Sequence, residues 1–445
     1  MGEIFLGVVA DDFTGASDAA SFLVEAGVPT VLFNGIPQQC PKLSDQTRAI
    51  VVALKSRTEE PQKAVSESLD AFAWLKTMGA EKLYLKYCST FDSTDQGNIG
   101  PVIDAVMERY ALTRTVLCPA LPVNGRTVRD GKLYVNGVLL EESPMKDHPL
   151  TPMRKSRIAD LMRVQGKYPC REISAETMQR MLAGGEAMNL SAGDENSNIY
   201  LVPDYYEEEH ADQIAQLFGD LPFLTGGSGL VGALGRRYVR LSKAAGTDDA
   251  SEEGQKKTEA LRTGEDKKSA AERRDKAWGK AVLLAGSCSA VTLKQIETYQ
   301  KTGNPSFVIE PEKLFDGRQS VDSIWEWIQT EGRDGLIYSS ADPEGLKKSQ
   351  QLGRERVAAK IEETLSNLAQ RAEREGYTRF IIAGGETSGA VTKALGFAAF
   401  YIGPSVAPGV PVMTPLENTN VRLVLKSGNF GQPDFFERAK EMTKQ

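Results

Sequence analysis

Short apolar runs recur along this chain, and stretches with helical spacing separate them. They fall at 4–10, 30–34, 49–55, 82–87, 114–119, 199–203 and 222–225, then at 281–286, 306–310, 335–340, 379–383, 399–402 and 421–425. Strands joined through helices need crossovers, so neighbouring strands run parallel and helices cover both faces of the sheet. The pattern predicts an α/β fold in which each half of the chain holds a mostly parallel sheet flanked by helices. One segment departs from it. Asn124-Gly125 and Asn136-Gly137 are turn signals and Lys132-Leu133-Tyr134-Val135 alternates like a hairpin strand, so 121–150 reads as an excursion from the first sheet.

Composition separates the halves. At 445 residues the chain exceeds what one core usually supports. From Lys243 to Lys276 the periodicity lapses and about half of the residues are charged, with acids and bases in balance. The expected organisation is a first domain at 1–242, a charged linker at 243–277 and a second domain at 278–445.

Bulk properties remove several classes of function. A net charge of -7 argues against nucleic acid as a partner, because binding a phosphate backbone rewards an excess of Lys and Arg. No apolar stretch approaches the roughly 20 residues of a membrane span, and the chain opens directly on a strand-like run. No membrane partner and a cytoplasmic location are therefore expected. The five cysteines are scattered without Cys-x-x-Cys spacing, which argues against structural zinc and a disulfide framework. Cys88 and Cys118 end apolar runs and read as small buried hydrophobes. His148 and His210 are the only histidines, so a general base is expected to be a carboxylate. His210, beside three glutamates, reads as solvated; His148, in a proline-bracketed loop, reads equally as a ligand contact or a satisfied loop residue. A homo-oligomer is left open.

The run Ile4–Ala10 leads into Asp11-Asp12-Phe13-Thr14-Gly15-Ala16, and Ala16 to Ala26 reads as the helix that follows. Ligands in open α/β sheets bind just beyond the carboxyl ends of the strands. Two adjacent acids there are either a solvated pair beside a Thr-capped helix or groups that grip a hydroxyl, a metal or a cation. Two more strand ends carry similar chemistry: Lys55-Ser56-Arg57-Thr58, and the stretch from Lys86 through Asp92 and Thr94 to Gly97-Asn98. In a parallel sheet these ends share an edge with Asp11 and Asp12. Cations suit a carboxylate and acids suit hydroxyls. Arg57 is the first candidate for a carboxylate and Arg126 the second, since a guanidinium can donate two parallel hydrogen bonds.

Gly227-Ser228-Gly229-Leu230-Val231-Gly232 fits the spacing of a dinucleotide turn. The acid that should follow about 20 positions later would fall in the charged stretch, so these glycines read as a tight strand–helix turn. In the second half, three strand ends are rich in small residues: Ala285-Gly286-Ser287-Cys288-Ser289, Ala383-Gly384-Gly385-Glu386-Thr387-Ser388-Gly389 and Lys426-Ser427-Gly428-Asn429. Glycines let a backbone approach a ligand, and helix N-termini aim N–H groups at anions. Together they read as a phosphate cradle for a mononucleotide, built without a P-loop or the protein-kinase signatures.

Five of these segments occur in a known order: Ala10–Ala16; Asp92-Ser93-Thr94 with Gly97-Asn98; His148–Met153; Thr225–Leu230; and Ala383–Gly389. In this the chain resembles the four-carbon acid sugar kinase family. Outside the charged stretch the resemblance covers essentially the whole sequence. It implies an acid-sugar-binding first domain, an ATP-binding second domain, and substrate and nucleotide sites that face an interdomain cleft. The implied reaction is phosphoryl transfer from ATP, with Mg²⁺, to the terminal 4-hydroxyl of a four-carbon sugar acid. A 3-oxo-tetronate is the first expectation, and D-threonate or D-erythronate the second. ATP contacts are implied at Ser287, the Gly384-Gly385-Glu386-Thr387 turn and Gly428, with Ser289 placed beside Ser287. The acid sugar is expected among Asp11, Asp12, Thr14, Arg57, Lys86, Asp92, Thr94 and Asn98. Arg57 and Lys86 are assigned to its carboxylate, and Asp12, ahead of Asp11 and Asp92, to the reacting hydroxyl. No metal ligand is assigned. The rival readings are an NAD-dependent oxidoreductase built on the Gly227 turn and a non-catalytic sugar-acid sensor.

Overall fold

The computed structural model describes residues 3–39, 41–147, 151–184, 198–246, 279–287, 289–331, 334–339 and 353–444. The chain divides into two compact units, Met1–Ala250 and Ser251–Gln445. Most of the expected charged linker, together with His148, Cys40 and Cys288, lies outside the described residues.

In the first unit, strands β1 (Ile4–Ala10), β2 (Thr30–Asn34), β3 (Ala49–Ala53), β4 (Ala80–Lys86) and β5 (Arg114–Cys118) follow the sequence expectation closely. After them come a three-stranded antiparallel excursion, β6 (Arg126–Arg129), β7 (Lys132–Val135) and β8 (Val138–Leu139), and then β9 (Cys170–Ile173), β10 (Ile199–Pro203) and β11 (Phe223–Gly226). Asn136 and Gly137 both take positive φ, 52° and 81°, as a two-residue hairpin turn demands. The main sheet runs in the order β2-β3-β1-β4-β11-β5-β10-β9, parallel throughout. β9 has no apolar run to announce it, because it is a half-exposed edge strand with one inward residue, Ile173.

Helix α1 (Phe13–Glu25) begins three residues earlier than expected, and its cap is Asp12 rather than Thr14. Asp12 has extended backbone angles and accepts the Gly15 N–H at 2.6 Å, satisfying a donor that the helix start leaves free. The helix packs against Ser228–Ala244, where glycines allow close approach. A Cβ on Gly232 would stand 3.0 Å from Phe22, and one on Gly235 would stand 2.9 Å from Ala26. Ser228–Ala244 also carries regular structure past residue 242, the expected end of the first domain.

In the second unit, β12 (Ala281–Ala285), β13 (Ser306–Val308), β14 (Leu336–Tyr338), β15 (Arg379–Ala383), β16 (Ala399–Ala407), β17 (Val410–Pro415) and β18 (Arg422–Lys426) form the order β13-β14-β12-β15-β18-β17-β16. The first five are parallel, but β17 runs antiparallel to both neighbours. Here the parallel expectation fails locally, because Gly409, at φ 78°, turns β16 straight back into β17 instead of into a helix. The core is built from alternate residues of the central strands, among them Leu283, Ile381 and Val424, under Ile296, Phe435 and Phe436.

Candidate active site

The register of the first sheet aligns its strand ends. Ala10 pairs with Ala53 on one side and Lys86 on the other, so Asp11, Asp12, Arg57 and Asp92 emerge at one edge. Arg57 sits at their centre. Its Nε and Nη2 donate to the two Asp11 oxygens at 2.9 and 2.8 Å, while Nη1 lies 3.0 Å from Asp12 and 3.9 Å from Asp92. Asp92 also accepts the Thr90 hydroxyl at 2.5 Å. Phe91, just before it, is buried at φ 54°, a conformation that bulky residues avoid. Such strain costs about 1–3 kcal/mol and persists where the surroundings impose it.

The acids are not equivalent. The Asp12 side chain is 29% exposed, against 11% for Asp11 and 9% for Asp92, so Asp12 is the one presented outward. Burial opposes the charge of Asp12, but Arg57, Lys86, the Gly15 N–H and the Thr14 hydroxyl outweigh it and hold the carboxyl below its ordinary range. Burial wins at Asp11, whose carboxyl is raised although Arg57 pulls the other way.

Lys86, expected on a substrate carboxylate, is directed inward. It is buried, its Nζ donates to the Tyr87 carbonyl at 3.1 Å, and it lies 3.8 Å from Asp18 on α1. Asp18 also accepts the Ser228 hydroxyl. Neither Asp18 nor Ser228 was among the sequence candidates. The available signal was an acid on an otherwise small and apolar helix face, seven residues after Asp11. The Gly227 turn is filled by protein. A Cβ on Gly226 would meet the Cys118 carbonyl at 2.1 Å, and one on Gly229 would meet the Tyr205 hydroxyl at 2.6 Å. These glycines serve packing, and the turn lends no support to the dinucleotide reading.

A pocket opens beside Arg57, walled by Asp11, Ser56, Asp92 and Asn98 over apolar Ile99 and Val102. Asn98 Nδ2 donates to the carbonyls of Ser56 and Glu59, at 2.6 and 2.9 Å, while its buried Oδ1 has no partner. Asp12, Thr14, Thr94 and Arg126 are not among the lining residues: Asp12 accepts from the Thr14 hydroxyl and the Gly15 N–H, the Thr94 hydroxyl accepts from the Gln96 N–H, and Arg126 donates to the Asn124 carbonyl. His210 corrects the solvated expectation. It is buried, edge-on to Tyr206, and Nδ1 accepts the Tyr206 N–H at 3.4 Å. With Glu207 and Glu209 it forms the cluster of metal-ligating types found among the described residues, and none of the three lines the pocket beside Arg57.

The second unit brings its three small-residue turns together. Ala383 pairs with Ala285 and with Lys426, so the turns after β12, β15 and β18 emerge at one edge. Gly428 packs on Ser287 and Ser289: a Cβ there would stand 2.4 Å and 3.0 Å from their hydroxyl oxygens. Ser289 caps the helix Ala290–Lys301, and Gly384, at φ 130°, caps the helix Gly385–Leu395. A Cβ on Gly385 would meet nothing within 4 Å. Glu386 is exposed at this helix start, and Thr387 is buried beneath it against Gly286 and Gly384. The result is an open, glycine-lined surface with two capped helix starts.

The two sites define a class of protein, and comparison with known proteins agrees. Residues 6–234 match the model of a sugar-binding N-terminal domain, and residues 282–436 match that of a nucleotide-binding C-terminal domain. The chain belongs to the four-carbon acid sugar kinase family, and it is similar to 3-oxo-tetronate kinases over nearly its full length. The 3-oxo-tetronate kinase of Brucella melitensis is 40% identical over 99% of this chain and 96% of its own length. That of Pectobacterium atrosepticum is 40% identical over 98% and 99%. Among solved structures, the Haemophilus influenzae protein HI1011 is 38% identical, with a TM-score of 0.74 over 98% of this chain and 100% of that one. A Salmonella typhimurium LT2 protein, provisionally described as a tRNA synthase, is 37% identical with a TM-score of 0.82 over 98% and 99%.

Proposed function

We propose that this chain is an ATP-dependent kinase that phosphorylates the 4-hydroxyl of a 3-oxo-tetronate. The observation that carries the reading is the 40% identity to 3-oxo-tetronate kinases along essentially the full length of both chains. The charged stretch at 243–277 is assigned as the linker between an acid-sugar domain and a nucleotide domain.

ATP supplies the phosphoryl group, and Mg²⁺, carried in on its phosphates, offsets their charge. The residues of the second unit fit such a group. Gly385 leaves open space, Gly428 brings backbone close, and the helix starts at Ser289 and Gly384 aim N–H groups outward. In the first unit Asp12 accepts the hydrogen bond of the reacting hydroxyl and points its lone pair along the line of attack. As the new O–P bond forms and the bond to ADP breaks, the hydroxyl proton passes to Asp12 and then to solvent. Arg57, taken up by Asp11 and Asp12, fixes the acids that grip the substrate's hydroxyls, while the free Asn98 Oδ1 accepts a further hydroxyl. The charge summed around Arg57 favours a polyol rather than a bare anion, with Asp11, Asp12 and Asp92 facing one guanidinium.

The test is ADP release with Mg²⁺-ATP across 3-oxo-tetronates, threonates and erythronates. The expected result is turnover that is highest with a 3-oxo-tetronate. Highest turnover with a threonate or erythronate would change the substrate assignment, and ADP release with none of them would overturn the reading.

A further inference from the structure

Lys426 ends β18 with its side chain fully buried, and it has no acidic partner among the described residues. Its Nζ donates instead to three neutral oxygens: the Thr292 hydroxyl at 2.9 Å, the Gly428 carbonyl at 3.1 Å and the Ser427 carbonyl at 3.2 Å. The Phe435 ring lies 5.5 Å away on another side. A buried charge is costly unless something of opposite sign offsets it. Here the three donors are used up, yet the charge itself is not cancelled.

The carbonyls it holds determine what the turn presents. Gly428 O also accepts the Ser289 and Thr292 hydroxyls, at 2.6 and 2.9 Å, and is pinned inward from three directions. The described peptides are all trans, and in a trans peptide the C=O and the following N–H point in opposite directions. With the Ser427 and Gly428 carbonyls drawn inward, the N–H groups of Gly428 and Asn429 point outward. Neither has an acceptor among the described residues. Successive outward N–H groups form an anion-binding nest.

We propose that Lys426 is a positioning residue for the nucleotide: it folds the Ser427–Asn429 turn into a nest whose Gly428 and Asn429 N–H groups take a phosphate of ATP, and its own uncancelled charge lies behind them. This rests on the kinase reading, and it assigns a role to a side chain that touches neither substrate. Burial pulls the Lys426 amine down to about 7, so an anion over the turn would favour its protonated form.

The experiment compares the binding of Mg²⁺-ATP, ADP and adenosine to the full-length protein and to its Lys426→Met and Lys426→Gln variants. Met keeps the volume without charge, and Gln keeps a hydrogen-bond donor. In both variants Mg²⁺-ATP should weaken by about ten- to a hundredfold, because the charged bonds that hold the turn's carbonyls inward and the charge behind the phosphate are both removed, ADP by less, and adenosine by no more than about twofold. A merely structural role would weaken adenosine equally, and that result overturns the proposal. So does ATP affinity that stays at the wild-type level in both variants. If Lys426→Met fails to fold, Lys426→Gln carries the test. Wild-type protein that binds no ATP would overturn the kinase reading itself, which makes the two failures distinguishable.

Discussion

Substituting Asp12 by Asn and by Ala separates its charge from its place in the fold. Asn caps a helix about as well as Asp, so Asp12→Asn should keep the bond from Gly15 that starts α1. It loses the ion pair with Arg57 at 3.0 Å. With the Asp12 side chain 29% exposed, that pair is worth at most about 1 kcal/mol after solvent screening. Asp12→Ala also removes the cap, at about 1 kcal/mol more. Activity should separate differently. An amide cannot take the hydroxyl proton and turns a donor toward the site, so both variants should lose about 10²-fold or more in kcat, equivalent to about 2.7 kcal/mol of barrier. ADP release at saturating substrates measures the rate; nucleotide titration and urea unfolding serve as controls. KM for ATP should stay within about twofold, because the nucleotide contacts assigned above all lie in the other unit. An Asn variant with near-normal kcat would refute the assignment of the hydroxyl to Asp12. Equal destabilisation by Asn and Ala would refute the capping argument.

The glycines of the nucleotide turns should respond differently to substitution. Gly385→Val enters open space, so its Tm should hold while Mg²⁺-ATP affinity falls about tenfold or more; Gly384→Ala, forced to φ 130°, should cost about 1–3 kcal/mol in a thermal or urea melt. Lys426 also gives a pH signature. Its amine titrates near 7 when folded and near 10.5 when unfolded, so between these values the unfolded chain binds the extra proton and stability rises with pH. The slope is at most about 1.4 kcal/mol per pH unit, and Lys426→Met should flatten it in urea midpoints measured from pH 7 to 10.

The strand ends to which the chemistry is assigned were legible as strand ends because the physics behind them is local. Apolar runs mark the strands, and Asp11-Asp12, Arg57, Asp92 and Gly384–Thr387 stand where a parallel sheet delivers its loops to a ligand. The antiparallel turn at Gly409 was harder to read, because Val410–Pro415 carries no feature that distinguishes an antiparallel partner from a parallel one. The inward course of Lys86 was hidden for a similar reason. Its neighbour Asp18, and the Ser228 that bonds Asp18, come from helices 68 and 142 residues away, and nothing in the local sequence links them.

By itself, the sequence determined the α/β class, the two-part organisation and the loops where polar groups gather. These follow from periodicity and from residues that act within a few positions of themselves. Only the tertiary structure decided how those groups are used. It set Arg57 between three acids, left Asp12 outermost, filled the Gly227 turn with neighbouring backbone, and buried Lys426 behind the Gly428 turn. Burial and charge pairing depend on which distant segments meet, and a linear pattern does not record that.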